Sequence, residues 1–115
     1  MLQGWIINIV VAFILRQWVK FGASVDFAKI KADMVTRLTD ILPSWLDAEG
    51  TAIVNALVDG AAACLGDTAA VEAMLRFAAA EKWPEAIAAL KGMLLRAWVP
   101  GDAIGQKAQG MLAAA

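Results

Sequence analysis

Apolar side chains recur along this chain every third or fourth residue, and nowhere do they alternate with polar ones for long enough to line one face of a strand. The clearest stripe is Phe27, Ile30, Met34, Leu38 and Ile41, with Lys29, Asp33 and Arg37 spaced i, i+4, i+8 on the other side as a solvated face of two alternating-sign pairs. Gly22, Ala23 and Ser24 break the chain ahead of that helix, Ser24 is its expected N-cap with Asp26 in the first turn, and Pro43 ends it after Leu42. Ser44 followed by Asp47 resembles a capping box for a third helix, striped by Leu46, Ile53, Val54, Leu57, Val58, Ala61, Cys64 and Leu65 and closed at Gly66. Gly50 and Gly60 weaken this span, whose beginning reads equally as a separate short turn. Asp67 or Thr68 caps a fourth helix with Val71, Met74, Leu75 and Ala78 inward and Glu72 placed to pair with Arg76. Pro84 suits the start of a fifth, which carries Ile87, Leu90, Leu94 and Leu95 inward and stops at Pro100-Gly101. Beyond Asp102, two glycines and the closing alanines predict only a weak helix that frays. The fold class is therefore all-α: an apolar N-terminal helix over residues 1–21, then a bundle of about four helices over residues 24–115 with a weakly ordered C-terminal tail.

The first segment differs in kind from the others. Ile9 to Leu15 is unbroken apolar for about two turns, so its side chains point all round the axis and leave no face for water. Trp5 and Trp18 bracket the stretch, and Arg16, Lys20, Lys29 and Lys31 lie on its C-terminal side, as around a single membrane-spanning helix with its C-terminal domain in the cytoplasm. The rise from Trp5 to Trp18 is only about 20 Å against a hydrocarbon core of about 30 Å, so spanning requires Leu2 to Phe21 with snorkelling by Arg16 and Lys20. Three placements stay open: in lipid, between subunits of an assembly, or as the central strut of a small bundle. Asn8 is the only polar side chain between Trp5 and Leu15, and in lipid or a dry interface its simplest partner is the Asn8 of a second copy. No basic stretch precedes the apolar run and no small-x-small site follows it closely, so the pattern is not that of a cleavable signal peptide.

Composition narrows the chemistry. Among 115 residues, 10 Lys and Arg face 11 Asp and Glu, a net charge of -1 that excludes a nucleic-acid grip built on bulk positive charge. Hydrophobic residues reach 61%, but 25 are alanines, which anchor a core poorly. His and Tyr are absent, Ser occurs only at 24 and 44, and the single Cys is Cys64 on an apolar stripe, where a buried core residue is the simplest reading; no catalytic residue, cofactor or metal site is expected. Asp47 and Glu49 are two apart, on different helix faces, and the glycines occur singly rather than as a phosphate-binding loop. Trp5, Trp18, Trp45, Trp83 and Trp98 all fall at helix ends, the place of staples and interface anchors. Charge is uneven: residues 1–40 sum to +2, residues 41–81 to -5 and residues 82–115 to +2, which is chance in a small domain or a basis for head-to-tail contact between copies.

Two stretches resemble known proteins. WPEAIAAL, within residues 82–90, looks like the second helix of a tetratricopeptide repeat, but it is unrepeated and so predicts a simple helical hairpin. The run through Arg16-Gln17, Lys20-Phe21, Asp26-Phe27, Lys31, Asp33, Arg37 and Pro43-Ser44-Trp45-Leu46-Asp47 resembles the N-terminal half of small proteins found in tailed-phage genomes, over about residues 10–50. That resemblance carries over no functional residue; it implies a virion or phage-membrane context and a protein acting in many copies. The expected function is a non-enzymatic structural protein that self-associates through its N-terminal helix, the alternative being a single-pass bacterial inner-membrane protein, including a holin-like lesion former. The residues expected at the oligomer or membrane interface are Trp5, Asn8, Ile9, Phe13, Arg16 and Trp18. The expected partners are further copies of the chain, other virion or membrane proteins and membrane lipid, with no nucleic acid.

Overall fold

Six α-helices make up the computed structural model, which describes residues 2–41 and 48–115: α1 (Leu2–Phe21), α2 (Phe27–Ile41), α3 (Ala48–Ala63), α4 (Thr68–Ala79), α5 (Trp83–Arg96) and α6 (Ala103–Ala114). No strand occurs among the described residues. The Ser44–Asp47 capping box, Trp45 and Leu46 lie outside them.

At 1.5 Å per residue the 20-residue α1 runs about 30 Å, most of the 36 Å long axis of the molecule. It touches α2, α3, α5 and α6, so it is the strut against which those four are laid, while α4 packs on α5. Its inner face, Ile6, Ile7, Val10, Val11, Ile14 and Leu15, is fully buried, and Trp18 is 2% exposed. Facing them are Ile30, Met34 and Leu38 of α2, Ile53, Val54, Leu57 and Val58 of α3, Leu90, Met93 and Leu94 of α5 and Ala108 and Leu112 of α6, all in one apolar core. Trp18 meets the edge of Phe27 at 5.4 Å between ring centroids, which pins the end of α1 to the start of α2.

The helix boundaries have local causes. Gly22, at φ 56, takes the left-handed conformation that stops α1. Ser24 ends a 3-10 turn, and the group that caps α2 is Asp26, whose carboxylate accepts from the Lys29 N–H at 3.2 Å; the turn displaces the N-cap two residues from the expected Ser24. Asp67 caps α4 by accepting from the Ala70 N–H, and Asp102 caps α6 by accepting from the Gly105 N–H at 2.7 Å. Pro84 sits in the first turn of α5. The end of α4 is a Schellman turn: the Lys82 N–H reaches the Phe77 carbonyl and the Glu81 N–H the Ala78 carbonyl, with Glu81 at φ 61 where glycine is usual. The hairpin expected around WPEAIAAL is the α4–α5 pair, the most extensive helix contact among the described residues.

The segment beyond Asp102 is a helix of 12 residues with Gly105, Ala108 and Leu112 buried. Tertiary contacts, not propensity, hold it. The Gln109 amide donates to the Leu94 carbonyl at 3.0 Å and to the Trp98 carbonyl at 2.9 Å, satisfying acceptors left over at the end of α5. Trp98 itself lies between Gly60 of α3 and Gly105 of α6, and a β-carbon at either position would press on the ring or its surroundings.

Candidate functional site

The 3.6-residue period that buries Ile7, Ile14 and Trp18 places Trp5, Ile9, Ala12, Arg16, Val19 and Lys20 on the opposite side of α1. This outer stripe is not the polar face expected of a helix on the surface of a bundle. Trp5 is 50% exposed and Val19 38%, Ile9 and Ala12 are half-buried, and α1 contains no acidic residue. Its charges, Arg16 and Lys20, are both at one end.

The interface candidates distribute as follows. Trp5, Ile9 and Arg16 lie on the outer stripe; Phe13 borders it toward α2, its ring under the Arg37 guanidinium at 4.9 Å; Asn8 borders it toward α5. The Asn8 carboxamide oxygen accepts from Lys91 Nζ at 3.1 Å, so it has a partner within the chain and needs no second Asn8. Trp18 is a core residue, beyond the reach of any partner in this conformation.

Both cations of α1, and Lys29 and Arg37 of α2, sit on rings rather than on carboxylates. Arg16 lies over Trp83 at 5.9 Å, and Lys20 and Lys29 approach Phe21 at 5.3 and 5.9 Å. The expected Lys29–Asp33 and Asp33–Arg37 pairs do not form, because an exposed i, i+4 pair offers only a few tenths of a kcal/mol and the rings compete successfully. The Glu72–Arg76 pair does form, at 3.6 Å.

The acidic middle of the sequence meets the basic ends inside one chain. Lys31 of α2 bonds Asp59 of α3 at 2.9 Å, and Lys107 of α6 bonds Glu49 of α3. Complementarity that would have suited contacts between copies thus serves to dock α2 and α6 on α3.

Elsewhere the surface offers little chemistry. An open groove of about 670 Å³ beside Trp98 is lined by Ala52, Asn55, Asp59, Pro100 and Asp102, but Asp59 is paired with Lys31 and Asp102 is a helix cap. A second groove, about 580 Å³, runs between Trp5 and Asn8 of α1 and Gly110, Met111 and Ala114 of α6. No three His, Cys, Asp or Glu side chains converge among the described residues. Cys64 is 1% exposed, its thiol donates to the Met93 carbonyl at 3.7 Å, and burial, then the nearby Asp67 carboxylate, raise its pKa above 9.0. A thiol so held is a poor nucleophile.

Two helical spans, Gly4–Phe21 and Ala48–Gly66, are long and apolar enough to cross a membrane, at mean hydropathy 1.3 and 1.2. Comparison with protein-family models, with curated proteins and with solved structures finds no match.

Proposed function

We propose that the protein is a non-enzymatic assembly module that associates with copies of itself through the outer face of α1. The observation that carries this reading is the stripe Trp5, Ile9, Ala12 and Val19, apolar and carboxylate-free on a helix whose other side lines the core. A helix with its inner face committed to the bundle and with exposed Trp5 and Val19 beside only two cations on its outer face has a surface suited to a partner. The residue inventory supports a binding role over catalysis: no His, no Tyr, and one sequestered Cys. A virion component is the setting suggested by the likeness of residues 10–50 to small tailed-phage proteins, which act in many copies.

The alternative, a bacterial inner-membrane protein, draws on the hydropathy of Gly4–Phe21. Its cost is tertiary. For α1 to enter lipid, its six fully buried aliphatic side chains must leave the bundle, and the side chains of α2, α3, α5 and α6 that face them would be left to water at about 1.5–3 kcal/mol for each one fully exposed. The assembly reading keeps those contacts. Fractionation of cells expressing the full chain tests it: recovery without detergent, as a species larger than one chain by light scattering, is the expected result. Extraction from membranes by detergent alone would replace this reading with the membrane one.

A further inference from the structure

We infer that the face formed by the outer side of α1 and the adjoining edges of α2 and α5 docks on an anionic phospholipid surface with the bundle intact. The inference goes beyond the assembly reading and does not rest on it.

Charge placement carries it. Arg16 and Lys20 project from α1, and three further cations reach side chains of α1 from its neighbours: Lys29 approaches Phe21, Arg37 lies over Phe13 and Lys91 bonds Asn8. Half of the chain's 10 Lys and Arg thus meet on one face, although the chain as a whole carries a net charge of -1. Among the described residues none of these five is in an ion pair, whereas Lys31, Arg76 and Lys107 all are. Asp26 and Asp33 line a small groove with Lys29 and Phe21 at one edge of the face, and Asp26 is engaged as the cap of α2. The rings beneath the cations attract them without cancelling their charge, so the face stays positive and complementary to an anionic partner.

Apolar groups decide which anionic partner. Trp5, 50% exposed, and Val19, 38% exposed, stand among these cations on α1. A nucleic-acid backbone would satisfy the Lys and Arg and leave both apolar side chains in water. At a bilayer the long basic stems reach headgroup phosphates while Trp5 enters the interfacial layer, where an indole is favoured. The inner side of α1 keeps its place in the core, so this docking avoids the tertiary loss that insertion of the helix entails.

The test is flotation of the full chain with vesicles of phosphatidylcholine, with and without phosphatidylglycerol. Wild type should float with the phosphatidylglycerol vesicles at low salt, stay behind with phosphatidylcholine alone, and be released by raised salt without detergent. Lys20→Gln and Arg37→Gln should each weaken binding about fivefold. Arg76→Gln removes the same charge from α4, which packs on α5, and should leave binding unchanged. Trp5→Ala should weaken it about tenfold. No flotation at low salt, or retention that only detergent reverses, would overturn peripheral docking. Weakening by Arg76→Gln equal to that by Lys20→Gln would overturn the assignment of the face, and a Trp5→Ala protein that binds as wild type does would overturn the choice of lipid over a soluble polyanion. Sedimentation without lipid reads self-association separately: a chain that associates but does not float loses this inference alone, and one that floats but stays a monomer loses the assembly reading alone.

Discussion

Replacing Gly60 by alanine adds one methyl group to α3, and the structure says where that methyl goes. A β-carbon there would lie 2.6 to 2.8 Å from Cδ2, Cε3 and Cε2 of Trp98, about 1 Å inside ordinary carbon–carbon contact. The indole borders the open groove on one side, so what resists its displacement is the packing and bonding on its other sides. It is 9% exposed, its backbone carbonyl accepts from Gln109, and across it Gly105 is packed so tightly that a β-carbon there would come 2.8 Å from Pro100 and 3.5 Å from the ring. Alanine in mid-helix gains up to about 1 kcal/mol of propensity over glycine, whereas overpacking of this size costs about 1–3 kcal/mol, so Gly60→Ala should lose about 1 kcal/mol net. Gly92→Ala in α5 supplies the contrast, because its β-carbon would meet only the Arg96 guanidinium, at 3.8 Å. It should gain about 0.5–1 kcal/mol. Urea denaturation followed by helical circular dichroism measures both. The pair Gly60→Ala with Trp98→Leu should then show a favourable coupling, since removing the ring removes the collision. Equal stabilisation by the two alanines would refute the claim that Trp98 is clamped between α3 and α6.

Three further outcomes follow from the geometry. Glu81→Gly should raise stability by about 1 kcal/mol in the same assay, because the left-handed φ of 61 costs a side-chain-bearing residue what glycine does not pay. Leu57→Ala, at a fully buried site of α3, should cost about 2–5 kcal/mol. The Cys64 thiol, raised above 9.0 in the fold by burial and then by Asp67, ionises first in the unfolded chain, so its contribution is intact below about pH 9 and lost as pH rises toward the folded value; stability measured across that range should fall more steeply for wild type than for Cys64→Ala.

The helical class and several boundaries are legible in the sequence because they are written locally. Asp67 caps its helix through a bond within three residues and Pro84 opens one through its fixed φ, and the spacing of the α2 stripe correctly gives Ile30, Met34 and Leu38 as buried, though Ile41 at its end is exposed. What the sequence hides is set at long range. The closing helix looks weak because glycine and alanine have no packing signal of their own; Gly105 and Ala108 are buried because Trp98 and α1 need small neighbours, and Gln109 reads as a surface residue until the carbonyls of Leu94 and Trp98 are beside it. Asn8 reads as an orphan because Lys91 is 83 residues away. The candidate interface follows the same rule. An all-round apolar helix cannot show which side faces inward; only the positions of α2, α3, α5 and α6 put Trp18 in the core, half-bury Ile9 against it and leave Trp5 and Arg16 outside.

The central claim, that the outer face of α1 joins copies of this chain, is tested most directly by sedimentation velocity in lipid- and detergent-free buffer, comparing wild type with Trp5→Glu. Trp5 is half-exposed, so the substitution should leave the helical circular dichroism unchanged while placing a charge on the stripe. Wild type should shift to a larger sedimentation coefficient with increasing concentration and the variant should sediment as a single chain throughout. A wild-type protein that stays monomeric, or a variant that assembles as wild type does, would contradict the account.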